Sequence, residues 1–420
     1  MHGRPLKVTI LGVNYAPERS GIAPYTTGVA RGLAALGHDV RVLTSRPHYP
    51  EWTVAAEQQT GPSDSVVDGV HVRRLRHYIP ARPNGVRRAR FEISFGARLA
   101  TSRWHDPDVV LCISPALLSS GMAIARARVG RARPAIGLVI QDLYSRGVTE
   151  TGMGGGALAR VATRLEASIA GACDGVAVIH DRFKDRVVQG LGVEPERVSV
   201  IRNWTHVSPA PDFDVVGFRS SMGWSADETV VLHAGAMGAK QALENVVHAA
   251  KLADSGRKPV RFVLLGDGSR REDLERQAAG VSSIEFRASL DDIAFGRALR
   301  SADVLLVNEK PGVTEMAVPS KLTSYFSSGR PVLAATDASS TTSDELAAAE
   351  AGVRVDPGDP QALLDGALAL GSDAQAGFVF GENGRRYCDE VLSEQSAINK
   401  YDTWVRQLAA RGHTEELADV

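Results

Sequence analysis

Short apolar runs alternate with helical lengths along almost the whole chain, and this rhythm leaves few folds open. In the first half the runs are Val8–Leu11, Val40–Thr44, Val109–Ile113, Ile136–Ile140 and Val176–Ile179. They are nearly unbroken in Val, Ile and Leu, as expected of strands covered on both faces of a parallel sheet. After the first run, a loop with Pro17 and Gly21 leads into a helix predicted from about Pro24 to Leu36. Gly37 would end it as a left-handed cap, which completes one βαβ unit. The alternation restarts with Val230–His233, Arg261–Leu265, Val304–Val307 and Val332–Ala334. Between the halves, THVSPAPDFDVVG is Pro-bearing and aperiodic, which suits a connection between separately packed units. With 420 residues, two domains of about 200 each are expected. The fold class is therefore α/β, with two doubly wound Rossmann-like domains facing each other across a cleft. Their expected bounds are 1–207 and 208–392, followed by a last helix in 393–420. Ile398, Tyr401, Trp404, Val405 and Leu408 fall on one face of that helix, so it should pack back on the N-terminal domain, with Trp404 in the core.

Charge and cysteine usage remove several functions. Lys+Arg 48 against Asp+Glu 49 gives a net charge of −1, so no global field draws the chain to nucleic acid. Cys112, Cys173 and Cys388 lie far apart and fit neither a zinc site nor a disulfide framework, which points to a reducing, cytoplasmic setting. The opening MHGRPLKVTILGV soon meets Asn14, Glu18 and Arg19, so neither a leader nor a membrane span is expected. Asp-x-Asp at Asp106/Asp108 and Asp212/Asp214 reads as chance. The histidines, including His38, His48, His180 and His233, lack HExxH spacing, so no metal is expected. One stretch is strongly basic: nine arginines from Arg73 to Arg103, among them Arg87, Arg88 and Arg90, stand against Glu92 alone. Phe91, Phe95 and Leu99 give it an apolar stripe. It is either a solvated face over a buried stripe, or a patch for an anionic membrane surface or a lipid-linked phosphate acceptor.

In open α/β sheets ligands bind beyond the carboxyl ends of the strands. Gly12–Gly21 after the first strand lacks GxGxxG, which disfavours a dinucleotide site, although Gly21 can still bare its amide before a helix. His233-Ala-Gly235-Ala-Met-Gly238-Ala-Lys240-Gln241 offers two glycines for close backbone approach and a lysine suited to a diphosphate. Leu265-Gly266-Asp-Gly268 is a second backbone-exposing turn. After Val307 the chain runs through Glu315-Met316-Ala317-Val318-Pro319-Ser320-Lys321 into a helix whose N-terminus could meet an anion. Gly21 as a plain turn glycine and Glu315 as an exposed loop carboxylate are the competing readings.

Together these blocks are specific. Asn14-Tyr-Ala-Pro-Glu-Arg-Ser-Gly-Ile-Ala-Pro-Tyr, Arg46-Pro-His-Tyr-Pro-Glu-Trp52, Gln141-Asp142, Arg202-Asn-Trp204, GAMGAKQALEN, LLGDGSRREDLE and VPSKLTSYFSSGRPV resemble, in order and spacing, the retaining glycosyltransferases of family 4, especially the colanic-acid-type branch. The resemblance spans about residues 6–405. It implies a GT-B fold, a nucleoside-diphosphate-sugar donor, a hydroxyl acceptor that is free or lipid-linked, and no metal or cofactor. By position, Asp142, Glu315 and Lys240 would be catalytic. Gly21, Gly235, Gly238, Gly266, Gly268, Met316, Ala317, Val318, Ser320, Lys321 and Ser324 would bind the donor. Four departures stand out. Ser324 replaces the second acid of the family's Glu-x7-Glu motif, Ala236 replaces the Arg or Asn after Gly235, Asn203-Trp-Thr-His206 replaces the usual Asn-x-x-Asp ending after the last strand of the N-terminal domain, and Gln141 stands before Asp142 where the family often has His. Competing functions are a nucleotide-sugar 2-epimerase on the same fold and a non-catalytic carbohydrate-binding descendant.

Overall fold

The computed structural model describes residues 4–18, 21–60, 63–82, 84–129, 133–142, 156–205, 211–313 and 320–418, with backbone alone at 156–159, 320 and 412–418. The chain divides into two compact units, residues 1–203 with 394–420, and residues 204–393.

The first unit begins β1 (Lys7–Leu11), α1 (Ala23–Ala35), β2 (Asp39–Ser45), α2 (Ala56–Thr60), β3 (Asp64–Val67), β4 (Val70–Leu75), α3 (Gly85–Thr101) and β5 (Val109–Ile113). It continues through α4 (Leu117–Val129), β6 (Ala135–Ile140), α5 (Gly156–Gly171), β7 (Gly175–Val178), α6 (Asp181–Asp185) and β8 (Val198–Val200). Its sheet has the order β3-β4-β2-β1-β5-β6-β7-β8 and is parallel except between β3 and β4. Those two form a hairpin on Asp68-Gly69, both at positive φ (51° and 78°), the mirror-image turn that two-residue hairpins favour. Every residue of β5 and β6 is buried, as a strand covered by helices on both faces requires. At the end of α1, Gly37 has φ 91° and the His38 amide reaches back to the Leu33 carbonyl at 3.2 Å, so the expected cap is present.

The second unit contains α7 (Val215–Met222), β9 (Thr229–Ala234), α8 (Glu244–Ser255), β10 (Val260–Leu265), α9 (Arg271–Gln277), β11 (Ile284–Arg287) and α10 (Asp292–Ser301). Then come β12 (Val304–Asn308), α11 (Ser320–Ser328), β13 (Val332–Ala335), α12 (Thr341–Ala349), β14 (Gly352–Val355), α13 (Pro360–Ser372) and α14 (Ala374–Glu390). The sheet is wholly parallel, in the order β11-β10-β9-β12-β13-β14. Val230, Leu232 and Ala234 join the core on one face of β9 while Val231 joins the core on the other.

The last helix, α15 (Glu394–Ala418), belongs to the first unit and lies against α1, β5 and β6. Glycines make its seat. A Cβ on Gly32 would stand 2.7 Å from Ile398, one on Gly137 2.7 Å from Trp404, and one on Gly175 2.8 Å from Leu408. Trp404 is 4% exposed, a core residue as its spacing suggested.

Candidate functional site

Among its parallel strands each sheet reverses its order once, between β1 and β5 in the first unit and between β9 and β12 in the second. A crevice opens outside the carboxyl ends of the strands at such a switch point. Most of the described candidate residues lie at or next to these two places.

In the second unit the turns after β9 and β10 are built against each other. The Gly235 amide donates to the Leu265 carbonyl at 2.8 Å, and the Met237 amide to the Asp267 carbonyl at 2.8 Å. Gly235, Gly266 and Gly268 have φ of 129°, 136° and 158°, which only glycine adopts readily. A Cβ on Gly266 would lie 2.1 Å from the Gly235 oxygen, and one on Gly268 2.5 Å from the Met237 oxygen. The side of Gly235 where a side chain would stand is occupied instead by Lys321, whose Nζ is 3.8 Å from that point. Lys321 also donates to His233 Nε2 at 3.3 Å. Burial, with the adjacent Lys321 charge, holds His233 well below its ordinary value, so it stays neutral and can accept that bond. Burial pulls the Lys321 ammonium down to about 8, against the opposing influence of Glu309.

Glu309, the residue after β12, is half-buried and accepts hydrogen bonds from Thr336 Oγ1 and from Thr342 Oγ1, the latter at 2.7 Å. Its burial raises the carboxyl above the usual range, and the two threonines and Lys321 pull the other way. Asn308 ties the end of β12 to the β9 loop: its Nδ2 donates to the Gln241 carbonyl at 2.7 Å and its Oδ1 accepts from Asn245 at 2.9 Å. The Lys310 amide donates to the Lys240 carbonyl at 2.7 Å, while Lys240 itself is exposed. Gly238 closes the same loop through Gln241 Oε1 at 3.1 Å. Tyr325 Oη, from the middle of α11, accepts from the Ala234 amide at 2.8 Å and seats that helix on the sheet.

The structure thus brings Gly235, Gly238, Gly266, Gly268, Lys240 and Lys321 to one edge. Glu315, Met316, Ala317 and Val318 lie outside the described residues, as does the side chain of Ser320. Ser324 is 5% exposed, inside the packing of α11. An eight-residue step from Glu315 lands on Thr323, which is also buried, so neither position offers an acid. His233 and Glu309 are the residues that sequence reasoning missed. His233 was weighed only as a packed or surface histidine, and Glu309 carries no motif.

In the first unit Gly21 follows β1 with φ 64°, and a Cβ there would meet the Tyr49 ring at 3.2 Å. The loop is held by buried Glu18, whose Oε1 accepts from the His48 and Tyr49 amides at 2.7 and 2.9 Å and whose Oε2 accepts from Asn14 at 2.8 Å. Arg74 donates to the Ala16 carbonyl at 2.6 Å. Two sequence blocks, Asn14–Gly21 and Arg46–Trp52, therefore meet at one carboxylate. Asp142 follows β6 and is half-buried, its carbonyl 3.4 Å from Ser114 Oγ. Gln141 is buried with its side chain accepting from Asn203 at 2.8 Å, which fixes the place where the family carries His.

Phe91, Phe95 and Leu99 of α3 are buried, at 3%, 1% and 1% exposure, so this stripe belongs to the core and is not a membrane face. Arg87 and Arg90 remain exposed. Arg88 lies 3.6 Å from Glu92, and Arg90 sits over the Tyr78 ring at 4.3 Å. Among the described residues no helix is long and apolar enough to cross a membrane, and no three His, Cys, Asp or Glu stand close enough to hold a metal.

Comparison with known proteins agrees with this geometry. Residues 20–204 match the model of the glycosyl transferase 4-like domain, and residues 228–373 that of the glycosyl transferases group 1. A protein named as the colanic acid biosynthesis glycosyl transferase WcaI of Escherichia coli is 30% identical over 339 residues, 77% of this chain and 82% of its own length. The GDP-mannose-dependent alpha-mannosyltransferase of Mycolicibacterium smegmatis is 26% identical over 78% of this chain and 79% of its own. Among solved structures, sucrose-phosphate synthase from Thermosynechococcus elongatus superposes with a TM-score of 0.74 at 18% identity, covering 96% of this chain and 100% of that one. Anabaena HepE in complex with UDP follows at a TM-score of 0.71 and 14% identity, over 96% of this chain and 100% of its own. Both units thus have the fold shared by GT-B enzymes, and the chain belongs to the group 1, family-4-like glycosyltransferases.

Proposed function

We propose that this glycosyltransferase takes a sugar from a nucleoside diphosphate, held by the second unit without a metal, and passes it to a hydroxyl acceptor with retention at the anomeric carbon. The observation that carries the reading is the Lys321 ammonium standing against the bare backbone of Gly235, with the exposed Lys240 on the same edge. Glycines there let a diphosphate approach the main chain, and two lysines can balance its charge. HepE has been solved with UDP and with UDP-glucose, and the mannosyltransferase relative is named for GDP-mannose, which supports a donor of this class.

Breaking the bond from the anomeric carbon to the diphosphate oxygen leaves negative charge on the phosphate. Fixed positive groups aimed at that oxygen stabilise it more in the transition state than in the ground state. Lys321 and Lys240 supply the charge, and neutral His233 orients Lys321. For retention, the departing phosphate oxygen takes the acceptor's proton on the face where the new bond forms, and no protein nucleophile is required. Asp142 and Glu315 then serve to orient sugar hydroxyls. A thermal-shift panel of UDP-, GDP-, dTDP- and ADP-sugars tests the reading, since binding to the folded state raises the melting temperature by mass action. One class should stabilise the protein and lose its effect in Lys240→Ala and Lys321→Ala; a flat response to all four would refute the proposal. Conversion of a UDP-sugar to its 2-epimer without acceptor would instead favour the epimerase.

The outer face of α3 supports a finer reading of the acceptor. Val86 (82% exposed) and Ile93 (50%) lie beside Arg87 and Arg90. Such a face suits an anionic membrane surface carrying a lipid-linked acceptor. Sedimentation with vesicles should then require anionic lipid, weaken with salt, and fall in the Arg87→Glu/Arg90→Glu variant; equal binding to neutral vesicles would argue against it.

A further inference from the structure

The first unit has a pocket of about 250 Å³ beside the middle of β2 and β4 and the turn that precedes β5, whereas Gly21 and Asp142 lie beyond the carboxyl ends of β1 and β6. Its polar lining holds three arginines, Arg41, Arg73 and Arg103, together with His71, His105 and Ser65, and Asp64 as the acid. The register explains the gathering. Arg41 pairs with His71 and Leu43 with Arg73 between β2 and β4, and Asp64 pairs with Arg73 and Val66 with His71 between β3 and β4. Residues paired across a ladder share a face, and so do residues two apart on one strand, so one side of the sheet carries all of them.

The opposite wall is the turn from α3 to β5. Trp104 is buried there, its Nε1 donating to the Leu99 carbonyl at 3.1 Å and its carbonyl accepting from Thr9 at 3.0 Å. The flanking Arg103 and His105 line the pocket. His105 and Asp106 both adopt left-handed backbone, at φ 62° and 50°, which residues with a side chain rarely do unless their surroundings hold them there.

The arginines are weakly satisfied. Arg41 is 3.7 Å from Asp39 and Arg73 is 3.7 Å from Asp64, both beyond hydrogen-bond contact, and Arg103 has no hydrogen bond or ion pair among the described residues. Three guanidinium groups thus face two loosely held carboxylates, and guanidinium groups match phosphate oxygens in pairs. Leu43 and the exposed Val66, on the same face, add an apolar edge that a bare phosphate would leave uncovered. The volume lies just below the usual range of about 300–1,000 Å³ for drug-sized ligands, which suits one sugar ring with its phosphate.

We propose that this pocket binds a hexose phosphate, with the phosphate on Arg41, Arg73 and Arg103 and the sugar's C–H face on Val66, as a ligand separate from donor and acceptor. Calorimetric titration of the full chain with glucose 6-phosphate, inorganic phosphate and glucose tests it. Glucose 6-phosphate should bind at least about tenfold tighter than phosphate, and glucose should give no heat. Arg103→Ala, at an exposed position, should keep the parent melting temperature and weaken binding about tenfold, and Arg73→Gln should do the same; Lys321→Ala should leave it intact. Silence with glucose 6-phosphate, equal affinity for phosphate, or indifference to both arginine changes would overturn the proposal. Loss in Lys321→Ala alone would also do so, by placing the ligand on the second unit.

Discussion

Lys321 is charged in surroundings that work against its charge. Burial lowers it to about 8, so the ammonium fades as pH rises through that value. His233 cannot replace the lost charge, because it is held well below its ordinary value and stays neutral throughout. A nucleoside diphosphate on this edge should therefore bind more weakly as pH climbs from about 7 to about 9, and Lys321→Met should be weaker at low pH and nearly flat across the range. Calorimetry at several pH values would decide it. His77 gives a second pH effect, on stability. It is hydrogen-bonded to Ser45 at 2.7 Å, and burial, helped by His48, lowers it from 6.5 to about 4. Between these values the unfolded chain takes up a proton that the folded chain refuses, so stability falls as pH drops from about 6.5 to about 4 and is unaffected above. Urea melts should show a shallower pH slope for His77→Gln than for the parent. Glu18 makes the residue-scale argument for the first unit. Removing its carboxylate strands the His48 and Tyr49 amides, and Glu18→Ala should cost about 2–6 kcal/mol by urea melts, at about 1–3 kcal/mol for each unsatisfied buried group.

At the scale of elements, the β9 and β10 turns form one object. Because a Cβ on Gly266 would overlap the Gly235 oxygen, Gly266→Ala must push the turns apart and carry Gly235 away from Lys321. The variant should lose both stability, by about 1–3 kcal/mol, and donor-induced thermal shift, whereas Gly37→Ala, strained in φ but with open space around it, should lose stability alone. How far such elements could be read from sequence follows their burial. β1, β2, β5, β6, β7, β9, β10, β12 and β13 lie at or within one residue of their expected bounds, because unbroken Val, Ile and Leu mark strands covered on both faces. β4 escaped notice because His71, Arg73 and Arg74 interrupt its buried Val70, Val72 and Leu75, although Asp68-Gly69 offered a hairpin mark. β3, β11 and β14 are only partly buried and leave a weak imprint. Among the candidate residues, the glycines after β9 and β10 could be placed at strand ends from their turns. Glu309 could not be read this way, since its meaning comes from Thr336 and Thr342, 27 and 33 residues further on.

For the whole molecule the decisive feature is that the chain leaves the first unit at about residue 203 and returns to it at 394. The second unit is thus an insertion within the first, and α15 joins α1 in the helical layer on one face of the first sheet. Its attachment combines shape and charge. Trp404, Ile398 and Leu408 fill hollows left by Gly137, Gly32 and Gly175, Asp402 meets His38 at 2.6 Å and Glu394 meets Arg31 at 2.9 Å. The exposed Arg31 pair adds little, so the packing must dominate. Truncating a buried tryptophan costs about 3–5 kcal/mol, and for a unit of this size each kcal/mol moves the melting temperature by about 2–4 °C. Trp404→Ala should therefore lower the transition of the first unit by on the order of 10 °C. The second unit should keep its own transition and its stabilisation by nucleotide sugar, because among the described residues none of α15 enters its cores. Scanning calorimetry with and without donor separates the outcomes. Two transitions, with the donor raising one and Trp404→Ala lowering the other, are expected. Equal displacement of both by Trp404→Ala would show that the last helix stabilises the molecule as one body.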